Sequence, residues 1–401
     1  MDFYGYMRPN GKAGARNYVL LLPVNRSLNF IASNVERMTR NTRHFEIPAE
    51  TGRTEVDREV IARTLIGLMN NANVGGIVLL AVKSGAGSAY KNMCAERFEE
   101  EARKTGKPFR IVYLTNVGGS YNMLGETLRL TREVLLEVSD FRRENCPLSA
   151  LTLGVKCGTS DATSGIAGNP CVGAAFDQLI RAGGTAFFSE TTEIIGAEDL
   201  VAKRAVNESV AKKILSAAKH WEDKAKATGE DIRKINPIPA NIAAGISSLE
   251  EKSLGAIAKS GTSPIQDVLK YAEMPKGSGL YFVDSWMSSL SLPLCLTACG
   301  ATIMLYQMGG GKIAQHPMMP SINPTGVSPF LYLTGNAIAY SRAPDNFDFD
   351  ASPIMTEGAS IPEMGTKLLE HLSAIASGTM TKMETLNYAE QLELYMEGPV
   401  L

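Results

Sequence analysis

Residues 76–82, GIVLLAV, form an unbroken apolar run with three β-branched side chains, bounded by Gly75 and Lys83. A run this short, lacking the alternation of a half-solvated strand, reads as a strand buried on both faces, as in the interior of a parallel sheet. Outward from it, residues 18–23 (YVLLLP) and 110–115 (RIVYLT) have the same character. Between these runs, residues 54–70 and 89–105 carry apolar side chains at helical spacing with dense charge on the opposite face. Strand–helix–strand repetition at this pitch predicts a parallel sheet with right-handed crossovers.

The charged, proline-containing stretch 141–149 (FRRENCPLS) interrupts the pattern, which then restarts. Residues 149–155, 184–189, 280–284 and 301–306 read as strands, 172–182 as a helix, and 197–228 as one long or two shorter helices. The expected fold class is therefore α/β with two domains, residues 1–145 and 146–401. Each has a mostly parallel sheet flanked by helices, and the second is Rossmann-like.

The 401 residues suffice for two or three domains and at least one large core, with 44% apolar and 20% charged residues. Lys and Arg number 40 against 42 Asp and Glu, so the balance implies no nucleic-acid face. No run reaches the ~18 apolar residues of a membrane span, and the first residues lack the pattern of a secretory signal. A cytoplasmic location is expected, with the six cysteines as thiols or ligands rather than disulfides. Cys295 and Cys299 fall one helical turn apart in apolar surroundings, which suits buried core thiols.

Four loops near strand ends are candidates for chemistry, since open α/β sheets bind ligands there. In GVKCGTSDATSGIAGNP (residues 154–170), Lys156 can neutralise a carboxylate, and Cys157 or Asp161 can bind a metal. The same stretch also fits a glycine-rich turn with Asp161 as a cap. In GGTAFFSETTEIIGAE (residues 183–198), a strand discharges into Ser189, Glu190, Thr191 and Glu193. Glutamates there suit base or metal-ligand work, or they complement a helix dipole. Residues 236–260 contain Ser248 three residues before Glu251, a capping box, and read as structural. Residues 308–329, with GGGK and His316, suggest a lid rather than a phosphate loop. No strand is followed by GxGxxG, and no HExxH or paired CxxC occurs, which disfavours nucleotide-dependent and zinc-hydrolase chemistry.

Long ordered segments resemble a known family. GYMRPNGKAGARNYV at the start is similar to the GYxRxDGRxGxRNY of the large chain of altronate/galactarate dehydratases. GVKCGTSDATSGIAGNP resembles that family's GLKCGGSDxxSGxTANP, and GGTAFFSETTEIIGAE its GGTxxLSExxExxGAE. NPIPANIAAGISSLEEKSLGAIAKSG parallels NPSPGNxxGGxTTLEEKSLGxxxKxG, and the closing PDNFDFDAS resembles PDxIDFNAG. The resemblance spans nearly the whole chain. It implies a lyase subunit performing metal-assisted β-elimination (dehydration) on a sugar acid such as altronate or galactarate, giving a 2-keto-3-deoxy acid. The implied cofactor is a divalent metal, Fe2+ or Mn2+. By position it implies Lys156, Asp161, Glu190 and Glu193 as catalytic groups and Cys157 as a metal ligand. Arg16, Asn17, Arg53, Ser160, Ser189 and Thr191 are implied for substrate binding.

Two departures from the family's pattern bear on that expectation. The family carries a small N-terminal domain, fused or separate, and a separate small subunit is expected here, in an oligomer. The family's HGxGC loop and later GCE are replaced by PAETGRTEVDREV (residues 48–60) and AVKSGAG (residues 81–87), without histidine or cysteine. The sulfolactate sulfo-lyase branch of the family likewise lacks those cysteines and has a loop resembling Gly52–Arg53. Elimination of sulfite to give pyruvate, with Arg53 or Lys83 meeting an anionic group, is therefore an alternative. A non-catalytic sugar-acid-binding subunit is another.

Overall fold

The computed structural model describes residues 1–82, 90–310, 323–386, 393–394 and 396–398. Lys83 and His316 lie outside the described residues. The strands in chain order are β1 (Asp2–Met7), β2 (Ala13–Gly14), β3 (Tyr18–Pro23), β4 (Thr42–His44), β5 (Val74–Ala81), β6 (Phe109–Tyr113) and β7 (Glu144–Pro147). Then follow β8 (Thr152–Gly158), β9 (Thr185–Phe188), β10 (Ile265–Leu269), β11 (Gly279–Val283), β12 (Ile303–Met308), β13 (Phe330–Thr334) and β14 (Phe349–Asp350).

The apolar runs make the parallel sheets that their composition predicts. Among the described residues, β4-β3-β5-β6 form one all-parallel sheet and β10-β11-β9-β8-β12-β13-β14 a larger one. The central strand β5 is buried along its whole length, as an unbroken apolar run requires. A third sheet, β2-β1-β7, is antiparallel and was not expected. β1 has a half-exposed face and β7 (ENCP) carries a charge and a proline, so neither shows the apolar run that marks the other strands.

The outer face of the smaller sheet is covered by the helices Asn29–Met38 and Ser120–Ser139. Its inner face shares one continuous core with the larger sheet, through the helices Glu55–Asn70 and Ser291–Cys299. Leu65, Leu68 and Met69 meet Leu292, Cys295, Leu296 and Cys299 there, and both cysteines are buried thiols. The far face of the larger sheet is covered by Asn169–Arg181 and Ile361–Ala376. Residues 197–228 form two helices, Glu198–Ala202 and Glu208–Ala227. In the larger sheet the chain moves away from β8 in one direction through β9 and in the other through β12. The reversal of strand order therefore lies between β8 and β12, and the carboxyl ends at such a reversal are where open α/β sheets bind ligands. Among the described residues no helix is long and apolar enough to cross a membrane.

Candidate active site

β8 ends in Lys156, Cys157 and Gly158, and its neighbour β9 runs directly into Ser189 and Glu190. Successive side chains on a strand point to opposite faces, so Lys156 and Cys157 diverge. The Lys156 ammonium lies 5.2 Å from the Tyr306 ring centroid, whereas the Cys157 thiol approaches Asn169 Oδ1 at 3.4 Å. Glu190 lies at φ 72°, ψ 66°, in the left-handed region that a non-glycine residue occupies only when its surroundings hold it there. Its carboxylate is fully buried. Oε2 accepts from the Cys157 backbone N–H (2.9 Å) and from the Lys259 ammonium. Oε1 lies 3.5 Å from the Lys156 ammonium and has no hydrogen-bond partner among the described residues.

Two further lysines come from the segment that reads as structural. Ser248 caps the helix Leu249–Ile257 by accepting from the Glu251 N–H, as the capping-box spacing predicts. That helix presents Lys252, and the turn that follows presents Lys259, both buried. Close backbone approach makes this possible. A Cβ on Gly165 would stand 3.0 Å from Gly255 Cα, and one on Gly173 would stand 2.2 Å from Ala258 O. Helix and turn therefore pack directly against the π-helical turn Ser164–Gly168 and the helix after it. Lys259 Nζ lies 3.1 Å from Cys157 Sγ and 3.3 Å from Glu193 Oε2. Lys252 Nζ lies 3.4 Å from Glu193 Oε1 and donates to Asn236 Oδ1 (2.8 Å) and Asn241 Oδ1 (3.3 Å).

The result is a buried cluster of three ammonium groups and two carboxylates beside a thiol. Burial works against every charge in it, but the charges stabilise one another. At Glu193 burial favours the neutral acid, yet Lys259, Lys252 and Lys156 prevail and hold the pKa at about 2. Burial likewise opposes the Lys259 ammonium, and the neighbouring Cys157, Glu190 and Glu193 outweigh it, leaving its pKa well above the ordinary lysine range. Lys156 is raised for the same reason, with Tyr306 and the two glutamates overcoming burial. The Cys157 thiol is pushed up to about 12 by burial, which outweighs the opposing pull of Lys259.

The structure thus brings Lys156, Cys157, Glu190 and Glu193 together and places the other expected residues elsewhere. Asp161 anchors loops: its Oδ1 accepts from Thr163 Oγ1 and from the Ser164 N–H and hydroxyl, and its Oδ2 from Asn336 Nδ2 and the Gly310 N–H. It joins the ends of β8, β12 and β13, which is the capping role its sequence also allows. Ser160 contributes its carbonyl to Asn241 Nδ2. Ser189 donates to Val283 O, and Thr191 donates to Asp284 Oδ1, tying the Glu190 loop to the end of β11. Arg16 pairs through Nε and Nη2 with Glu384 and also donates to Ile375 O and Thr379 O. Asn17 bonds Arg8 and Val138 O. Arg53 donates to Ala49 O in the loop before Glu55–Asn70. None of these partners of Arg16, Asn17 and Arg53 belongs to the cluster. Lys252 and Lys259 were missed as site residues, although both stand in the EEKSLGxxxKxG pattern. Their spacing of seven residues, two helical turns, is the signal that one face carries both.

Cys157, Glu190 and Glu193 each offer a donor atom within 4.8 Å of the others, and they are the one such group among the described residues that could hold a metal ion. The Lys259 ammonium stands inside that triad, however, in contact with all three side chains. A bound ion takes thiolate at about 2.3 Å and carboxylate oxygen at about 2.0–2.2 Å, which would crowd it against Nζ. In this arrangement the donors fit the ammonium and not a divalent ion. A cavity of about 530 Å³ between the two halves is lined by Arg63, Trp221, Tyr271, Asp284 and Ser285. Thr191 bonds Asp284 and Ser285, so this cavity's wall is fastened to the residue next to Glu190.

A parallel-sheet α/β protein with acid and ammonium groups gathered at its strand ends now meets its relatives. The D-galactarate/Altronate dehydratase C-terminal family model matches residues 148–399, and the D-galactarate dehydratase/Altronate hydrolase second-domain model matches residues 5–139. The chain belongs to the altronate/galactarate dehydratase family. It is 32% identical over 394 residues to the (2R)-sulfolactate sulfo-lyase subunit beta of Chromohalobacter salexigens, covering 97% of this chain and 96% of that one. It is 29% identical over 410 residues to altronate dehydratase of Bacillus subtilis, covering 100% of this chain and 78% of that one. To galactarate dehydratase (L-threo-forming) of Escherichia coli it is 29% identical over 428 residues, covering 99% and 77%. These relatives are all lyases, and this chain is an enzyme of that class.

Proposed function

We propose that the chain catalyses β-elimination from a small hydroxy acid of the sugar-acid class, such as altronate or galactarate, yielding a 2-keto-3-deoxy acid. The observation that carries this reading is Glu190: a fully buried carboxylate with one oxygen anchored and the other without a hydrogen bond among the described residues. An oxygen of this kind can take a proton without giving up a hydrogen bond. Three ammoniums against two carboxylates leave the cluster one positive charge in excess, which a substrate carboxylate would neutralise. When Glu190 takes the proton α to that carboxylate, Lys156 and Lys252 stabilise the charge that spreads onto the carboxylate oxygens. The electron pair then forms the C=C bond as the β-hydroxyl leaves, departing as water with a proton from one of the cluster's ammonium groups. The enol so formed tautomerises to the keto acid.

Sulfite as the leaving group is the second reading. It is supported by the end-to-end match to a sulfo-lyase subunit and by the lack of histidine and cysteine in residues 48–60. That relative's designation as a subunit also supports a separate small partner chain. The test is turnover of the chain with a co-encoded small subunit on altronate, galactarate, other aldonates and sulfolactate, with 2-keto acid and sulfite both measured. Keto acid alone indicates dehydration; pyruvate with sulfite indicates the second reading. Glu190→Gln is expected to lower kcat by at least about 100-fold. Full activity in that folded variant would sink the assignment of the base.

A further inference from the structure

The family resemblance implies a divalent cofactor, and the three side chains best suited to hold one surround a lysine instead. We propose that Lys259 is a built-in cation that fills the Cys157–Glu190–Glu193 triad, so that this cluster excludes divalent metals and meets an anionic substrate with ammonium groups alone. The proposal builds on reading the cluster as the reaction site, but its geometry stands without that reading.

Lys259 Nζ touches each member of the triad: Glu190 Oε2, Cys157 Sγ at 3.1 Å and Glu193 Oε2 at 3.3 Å. The ammonium is therefore within contact distance of all three donors at once, the position from which an ion would have to bind them. Its stem leaves little room to withdraw, because Lys259 is 1% exposed and its turn is seated against Gly173. Charge reinforces the steric argument. Lys252 and Lys156 stand 3.4 and 3.5 Å from the same two glutamates, so the carboxylates are already shared among three cations. Adding a divalent ion, with Cys157 deprotonated to the thiolate that binds it, would raise the excess positive charge of a buried cluster from one to two. At separations of about 4 Å in a protein interior the ion and each ammonium repel one another strongly. Removing Lys259 would leave two carboxylates and a thiol converging on a vacant position, which is a metal site.

The experiment titrates the full chain, treated with chelator and kept reduced, with Co2+ and separately with Mn2+. Binding is read by the thiolate-to-cobalt absorption and by the resonance signal of free Mn2+. The native chain is expected to show no thiolate–cobalt band and to leave Mn2+ free. Lys259→Ala is expected to take up one equivalent of Co2+ with that band, at least about 100-fold more tightly than the native chain. The added substitution Cys157→Ser should abolish the band. One equivalent of Co2+ in the native chain, with a band that Cys157→Ser removes, overturns the proposal. A folded Lys259→Ala chain that takes up no ion overturns the assignment of Lys259 as the excluding group. If Lys259→Ala does not fold, the native titration still decides. No substrate enters these measurements. Silence across the substrate panel would count against the elimination reading and leave this inference intact.

Discussion

Glu190 and Asp161 are both buried carboxylates in the loops after adjacent strands, yet their hydrogen-bond surroundings are opposite in kind. Asp161 accepts from five donors on three loops, whereas Glu190 keeps one oxygen without a hydrogen bond among the described residues. Asp161→Asn would turn an amide N–H toward donors that need an acceptor, at a cost of about 2–3 kcal/mol. The expected result is a lower urea midpoint with a smaller loss of kcat than Glu190→Gln causes; the reverse pattern would return Asp161 to the chemistry. Both carboxylates were legible in the sequence as residues at a strand's end. Which of them stays available depends on partners as distant as Asn336, and local spacing does not encode those.

At the scale of elements, the helix Leu249–Ile257 shows how a structural signal and a functional one coincide. Its cap was legible from Ser248 and Glu251, because capping depends on residues three apart. Ser248→Ala should cost roughly 1 kcal/mol, measured as a shift in thermal midpoint. The lysines it places were not legible as site residues, because a lysine in a charged helix ordinarily faces water. Only packing at Gly165, Gly173 and Gly255 turns them inward.

The strands β13 and β14 carry a second expectation. Burial raises the Asp348 carboxyl from 3.8 to about 6, against the pull of the Lys382 and Tyr332 N–H groups. A carboxyl with a raised folded-state pKa contributes stability below its unfolded value, and that contribution is lost as pH rises through the folded one. The native chain should therefore lose up to roughly 3 kcal/mol relative to Asp348→Asn between about pH 4 and pH 7. Denaturant midpoints of the two chains across that range check the sign; parallel curves would exclude it.

Over the whole molecule, the two parallel sheets are joined through a shared core in which one helix from each half meets at Gly67 and Ala298. A Cβ on Gly67 would stand 2.2 Å from Ala298 O, so Gly67→Ala must push the helices Glu55–Asn70 and Ser291–Cys299 apart. Overpacking of this kind costs about 1–3 kcal/mol. A lowered urea midpoint is expected, and an unchanged one would show that the interface yields freely.

The sequence by itself determined the α/β alternation, because strands buried on both faces and amphipathic helices are written in local periodicity. β3 falls on residues 18–23 as read, and β5, β6, β8, β9, β11 and β12 overlap the runs that predict them. It also placed the chain in its family, through long motifs that spacing alone preserves. Tertiary structure decided the antiparallel sheet β2-β1-β7, in which β1 pairs with β7 across more than a hundred residues without an apolar run to announce either strand. It also decided the composition of the cluster. Lys156, Glu190, Glu193, Lys252 and Lys259 come from three separate segments, and their charges are tolerable in the interior only because those segments meet. That mutual neutralisation is a property of distances, and no one segment contains it.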